Sequence, residues 1–182
     1  MEQQALAALL GPCARTSFCF TLLEGLAEAE TLARFGAVPA PDEDGLLGGE
    51  APLIGVTRAG RWAIALELES SLGTDPHVLC GLSRGTVAVS VQHVLDSHLR
   101  LSLAEDGVLV TSLATVPPMT RKGADPDRLL PVLREFGLAG QPAAGPVRDP
   151  AVAVVEVVRR AFGIPISARL WQGPYTIGEL PV

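Results

Sequence analysis

Between residues 53 and 116, apolar residues fall on alternate positions, in short runs separated by turn residues. Successive side chains of an extended backbone point to opposite sides, so this stretch can bury its apolar positions only as a sheet. Runs at 53–57 and 62–69 are joined by Arg58-Ala59-Gly60, a glycine-containing hairpin turn. A third run covers 86–94, and Leu99, Leu101 and Leu103 mark a fourth beyond a turn at 95–97. Glu105-Asp106-Gly107 is a strong hairpin signal, and 108–115 completes the meander.

The two faces of this sheet differ. Trp62, Ile64, Leu66, Val87, Val89, Val91 and the three leucines make one face large and apolar; Ala63, Ala65, Ala88, Ser90 and Ser102 make the other small and mixed. The large face demands a cover, which in a chain of this kind is helical. The small face permits close approach by solvent, a helix, a partner strand or a ligand, and the expectation is that it stays free for recognition.

The flanks supply the helices. Residues 17–23 alternate as a strand, and 24–36 switch to helical spacing, with Glu28 and Glu30 in the first turn and Gly36 at the end. Residues 38–50 hold two prolines, three glycines and four acids and read as an exposed loop. Asp125-Pro126 and Asp149-Pro150 each pair an N-cap residue with a proline at the first helical position. The first signal opens a helix closed by Gly137, in which Pro131 requires a start near Leu130 or a separate turn before it. The second opens a valine-rich helix closed by Gly163. Residues 5–11 suggest a helical lead-in, 167–172 a further turn or two, and 175–182 a terminal strand. The expected fold is α+β: an antiparallel meander sheet of about five to six strands with helices packed mainly on one face. It forms one domain over 1–182, with a strand–helix unit at 15–37, the acidic loop at 38–50, the sheet at 53–116 and C-terminal helices at 125–173.

Five segments, in order, carry a resemblance: FCFTLLEGLAEAETLARFGA at 18–37, RAGRWAIALE at 58–67, LSRGTVAVSV at 82–91, AEDGVLVTSL at 104–113 and DPDRLLPVLREFGL at 125–138. Together they resemble a family of uncharacterised actinobacterial proteins known only as a domain of unknown function. The resemblance implies an architecture and a lineage, and it brings no catalytic residues with it.

Composition bounds the function classes. With 14 basic and 20 acidic residues the net charge is −6, which argues against a duplex nucleic-acid partner. An aromatic share of 4% leaves little material for base stacking. Three cysteines, Cys13, Cys19 and Cys80, have no ligand-like spacing and fit thiols in a reducing compartment. Residues 1–10 lack a signal-peptide pattern, and no run of about 18 apolar residues exists to span a membrane. A cytoplasmic protein with no membrane partner is expected.

Three constellations are candidates for chemistry. His93, Asp96 and His98 bracket a short turn and suit zinc or a similar ion, but they lack a fourth ligand, and a solvated polar turn is the simpler reading. Ser83-Arg84-Gly85-Thr86 resembles a phosphate grip but leads into a strand rather than a helix, so a glycine turn is preferred. Glu67 and Glu69 point the same way about 7 Å apart, as acid–base work would need. With Arg61, Ser90, Gln92 and Arg100 they form the candidate binding surface on the small-residue face. No nucleophile signature, metal set or cofactor is implied. The function expected first is a non-catalytic protein-binding module, immunity-like or a regulatory adaptor. A small enzyme or ligand-binding protein of specialised metabolism, with an apolar pocket on the sheet, is the alternative.

Overall fold

The first strand of the chain does not lie at an edge. In the computed structural model, which describes residues 18–40, 52–67, 70–94, 98–115, 120–138, 150–166, 170 and 173–181, β1 (Phe18–Glu24) sits inside the sheet. It runs antiparallel to β4 (Trp62–Glu67) on one side and to β5 (Val87–Val94) on the other. The remaining strands are β2 (Val38–Pro39), β3 (Leu53–Ala59), β6 (His98–Glu105), β7 (Val108–Ala114), β8 (Thr120–Lys122) and β9 (Thr176–Glu179). They form one nine-stranded sheet in the order β2-β9-β3-β4-β1-β5-β6-β7-β8, antiparallel throughout.

The α+β expectation holds, with three corrections. The sheet has nine strands, not five to six. The additional strands β2 and β8 have two and three residues, too few to show a period. Second, residues 53–116 are not a continuous meander. Because β4 and β5 both run antiparallel to β1, they are parallel to each other, and their connection must cross over the sheet. It does so through a 3₁₀ turn (Leu72–Thr74) and a helix, within a stretch that lies between the alternating runs at 62–69 and 86–94. Third, helices cover both faces.

The helices among the described residues are α1 (Glu28–Arg34), α2 (Pro76–Leu82), α3 (Leu130–Glu135) and α4 (Pro150–Phe162). Asp75 caps α2, accepting from the His77 and Val78 N–H groups at 2.8 and 3.1 Å, with Pro76 in the first turn. The same Asp-Pro signal stands before α4, so α2 was legible in the sequence; Asp125-Pro126, expected to open the next helix, instead begins a turn that ends before α3, whose N-cap is Leu129. In α3, Pro131 falls in the first turn, where its missing N–H costs nothing. At the hairpins, Gly60 takes the positive φ of the two-residue loop before Trp62. Asp106 and Gly107 both have positive φ, as the twist of a tight β6–β7 turn requires.

On the large face, Phe20, Leu22, Ile64, Leu66, Val89 and Leu101 pack against Val154 and Val158 of α4 and Leu133 of α3. On the small face, Ala63, Ala65, Ala88 and Ala104 pack with Leu32, Leu79 and Leu82 of α1 and α2. Alanine there does not leave a surface free; it lets two short helices approach the sheet closely. Arg34 holds those helices side by side, donating to the carbonyls of Leu82 and Arg84 at 2.8 Å each. The lead-in at 5–11, the loop at 41–50, Cys13, Glu69, Asp96 and most of 167–172 lie outside the described residues; Val38 and Pro39, placed in the loop from sequence, pair with β9.

A covered small face makes a sharp prediction. Ala88→Leu will lower the unfolding free energy by about 1–3 kcal/mol, since the added methylenes must displace a packed neighbour. Urea denaturation measures it; an unchanged midpoint would mean that this face is open.

Candidate functional site

Strand register assembles a polar row that no contiguous segment contains. Cys19 lies opposite Glu67 on one side and Gln92 on the other, and Gln92 lies opposite Arg100. Glu67, Cys19, Gln92 and Arg100 therefore share the small-residue face, side by side across β4, β1, β5 and β6. The neighbouring row on that face is Thr21, Ser90, Ser102 and Ser112. Thr21 donates to Ser90 at 3.4 Å, and the Ser102 and Ser112 hydroxyls are 2.8 Å apart.

Glu67 anchors the first row and is fully buried. Its Oε2 accepts from the Ser70 hydroxyl and the Leu72 N–H, each at 2.7 Å. Its Oε1 accepts from the Gly73 N–H at 3.0 Å and the Cys19 thiol at 3.4 Å. Four donors on two oxygens suit an ionised, acceptor-only carboxylate. Two of the donors are backbone N–H groups of the 3₁₀ turn, so Glu67 clasps the crossover to the sheet. Gly73 makes this possible: a Cβ there would overlap the Thr21 hydroxyl and stand 2.9 Å from Glu67 Oε1.

The Cys19 thiol is held well above its ordinary pKa. Burial is the main cause; the adjacent Glu67 charge and the hydrogen bond to it add to the shift. A thiol kept neutral is a poor nucleophile. The row thus contains a carboxylate with its acceptor positions occupied and a thiol whose ionisation is pushed to higher pH. Neither is poised for acid–base or covalent work.

Arg100 is different. It lies at the exposed end of the row, and its side chain makes no ion pair or hydrogen bond among the described residues. It borders a cavity of about 250 Å³ whose described lining also includes Gln92, Val94, His98, Leu99 and Ala114.

The residues singled out from sequence scatter accordingly. Glu67, Ser90, Gln92 and Arg100 come together, but Glu67 and Ser90 are buried and form no surface. Arg61 is elsewhere: the hairpin loop interrupts the alternation that placed it beside Glu67. Its guanidinium pairs with Glu24 at 2.9 Å and lies 5.9 Å from the Trp62 ring centroid. Glu69 lies outside the described residues. His93 and His98 fall on opposite faces of the β5–β6 ribbon, because His93 continues the Val89–Val91 face and stacks on Phe18 at 5.4 Å. They do not converge on one ion, and Asp96 lies outside the described residues. The donors around Gly85 are taken up by the β6–β7 turn: Gly85 N–H reaches Asp106 at 3.0 Å, and Ser83 accepts from Gly107 at 2.9 Å. Sequence reasoning did not attach Cys19 and Thr21 to the site. Their alternation in β1 put them on the polar side; what the pattern lacked was the position of β1 between β4 and β5.

A family model described as a family of unknown function, DUF6461, matches residues 8–182. The chain belongs to this family. No curated protein and no solved structure matches it. The DUF6461 match agrees with the resemblance drawn from the five segments, and it assigns no role to the polar row.

Two predictions follow from the clasp. Glu67→Gln will cost about 1–3 kcal/mol or more of stability, because an amide donor then faces the donors of the turn. Gly73→Ala will destabilise through overlap with Thr21, and chemical denaturation reads both; wild-type stability in either would dismiss the clasp. Cys19 will resist iodoacetamide at pH 8 in the folded protein and react in urea, as peptide mass spectrometry would reveal. Its folded pKa is raised, so its contribution is complete below the unfolded thiol value of about 8.5 and is lost as pH climbs toward the folded one. Cys19→Ala will therefore flatten the alkaline decline in stability.

Proposed function

We propose that the protein is a non-catalytic binding module of the actinobacterial cytoplasm. It holds a protein partner by seating an acidic side chain or chain end at Arg100. One observation carries this reading: a guanidinium that, among the described residues, has no carboxylate partner lines a small cavity. Arginine offers a fork of donors that matches a carboxylate in two parallel hydrogen bonds. Gln92 adds an amide beside it, and the apolar walls of Val94 and Ala114 lower the local dielectric, which strengthens the contact.

The size of the cavity favours a protein partner over a free small molecule. At about 250 Å³ it falls below the range of about 300–1,000 Å³ usual for small-molecule pockets. One side chain presented by a larger body fits it. The occupied acceptors of Glu67 and the neutral Cys19 thiol support binding rather than chemistry. Among the described residues no helix is long and apolar enough to cross a membrane.

A photo-crosslinking residue placed at Val94 in the native host will capture one partner, with the crosslink mapping next to an acidic residue. Arg100→Glu will weaken the isolated pair at least tenfold, about 1.4 kcal/mol, and Arg100→Lys by less. Affinity indifferent to Arg100→Glu would refute the assignment.

A further inference from the structure

At the far end of β1 from Arg100, on the large apolar face, a second cavity of about 430 Å³ opens between the sheet and the C-terminal helices. This volume lies within the range of small-molecule pockets. Trp62, Leu103 and Leu129 lie beneath its floor, almost fully buried, and Val87, Val132 and Phe162 present its accessible apolar lining. The indole and the Phe162 ring meet edge to face, with centroids 6.0 Å apart. The buried indole holds the Phe162 ring in place, and the lining around that ring suits a bulky apolar body.

The rim carries two acid–base pairs that differ in kind. Arg61 is hydrogen-bonded to Glu24 at 2.9 Å and lies against Trp62, so its charge is engaged. Arg128 and Glu105 are 4.0 Å apart, beyond hydrogen-bond reach, and their side chains are 56% and 41% exposed. An exposed pair at that separation is weak and easily opened. Among the described residues its guanidinium donors and carboxylate acceptors have no other partner, which leaves them to a ligand.

A purely anionic ligand at Arg128 would meet the charge of Glu105, and a purely cationic one at Glu105 would meet Arg128. A ligand bearing both charges on neighbouring atoms satisfies both at once. We infer that this cleft binds a zwitterion with an apolar body, an α-amino acid with a large apolar side chain, with its carboxylate on Arg128, its ammonium on Glu105 and its side chain against Val132 and Phe162. This site shares no residue with the Arg100 pocket, so either assignment can fail without the other.

Isothermal titration of the full chain with L-phenylalanine and L-leucine tests it, alongside 3-phenylpropionate and phenethylamine, which each keep the body and one charge. The expected result is binding of L-phenylalanine, with both single-charge analogues at least tenfold weaker. Arg128→Gln and Glu105→Gln will each lose at least tenfold in affinity while retaining the wild-type melting temperature, since both side chains are solvated. Arg100→Glu will leave the affinity unchanged. Absence of binding by either amino acid, or equal binding by the analogues, overturns the inference.

Discussion

The two-sided pairing of β1 is the constraint on which the rest depends. A strand bonded along both edges must place alternate side chains in two separate interiors. Phe18, Phe20 and Leu22 enter the large-face core, while Leu23 enters the small-face core and Cys19 and Thr21 enter the polar row beside it. Because β1 intervenes, β4 cannot turn directly into β5. The crossover this forces brings the 3₁₀ turn and α2 onto the small face. The buried carboxylate then becomes comprehensible. A crossover with short elements has little apolar area with which to hold itself down, and Glu67 supplies directional bonds instead.

Much of this was legible in the sequence. The alternation of Trp62, Ile64 and Leu66 against Ala63 and Ala65 located β4 and assigned its faces, because a period of two survives in any well-formed strand. Gly60 and Asp106-Gly107 located their hairpins, since few residues accept those backbone angles. Asp149-Pro150 located the start of α4. Strand order was not legible. Periodicity tells which way a side chain points, not which strand lies next to it, so nothing local reported that β1 parts β4 from β5. The misreading of the alanines has a similar origin. A small residue is compatible with an open face and with a tightly covered one, and only the location of Leu32, Leu79 and Leu82 distinguishes them.

The candidate site was half legible for the same reason. Gln92, Arg100, Ser90 and Glu67 were assigned to one face by parity, and the register confirms that grouping. Parity could not foretell that Glu67 is enclosed by backbone donors from its own crossover, because Leu72 and Gly73 contribute N–H groups that carry no side-chain signature. Nor could it follow Arg61 into a hairpin loop, where alternation lapses. The outcome separates residues that hold the fold together from those with valence left over. Glu67, Cys19 and Thr21 belong to the first kind and Arg100 to the second.

The strand order also bears on how a valine-rich chain avoids self-association. The outermost described strands are β2 and β8. β2 is two residues long and ends in Pro39, which has no N–H to offer an incoming chain. β8 is Thr-Arg-Lys, all exposed; Arg121 is paired with Asp127, and Lys122 leaves a charge on the edge that resists pairing with another copy. The long apolar strands are all interior, capped at both margins by pieces too short or too charged to template growth. Fibril formation through these margins is thereby disfavoured, and so is recruitment of a partner by adding a strand.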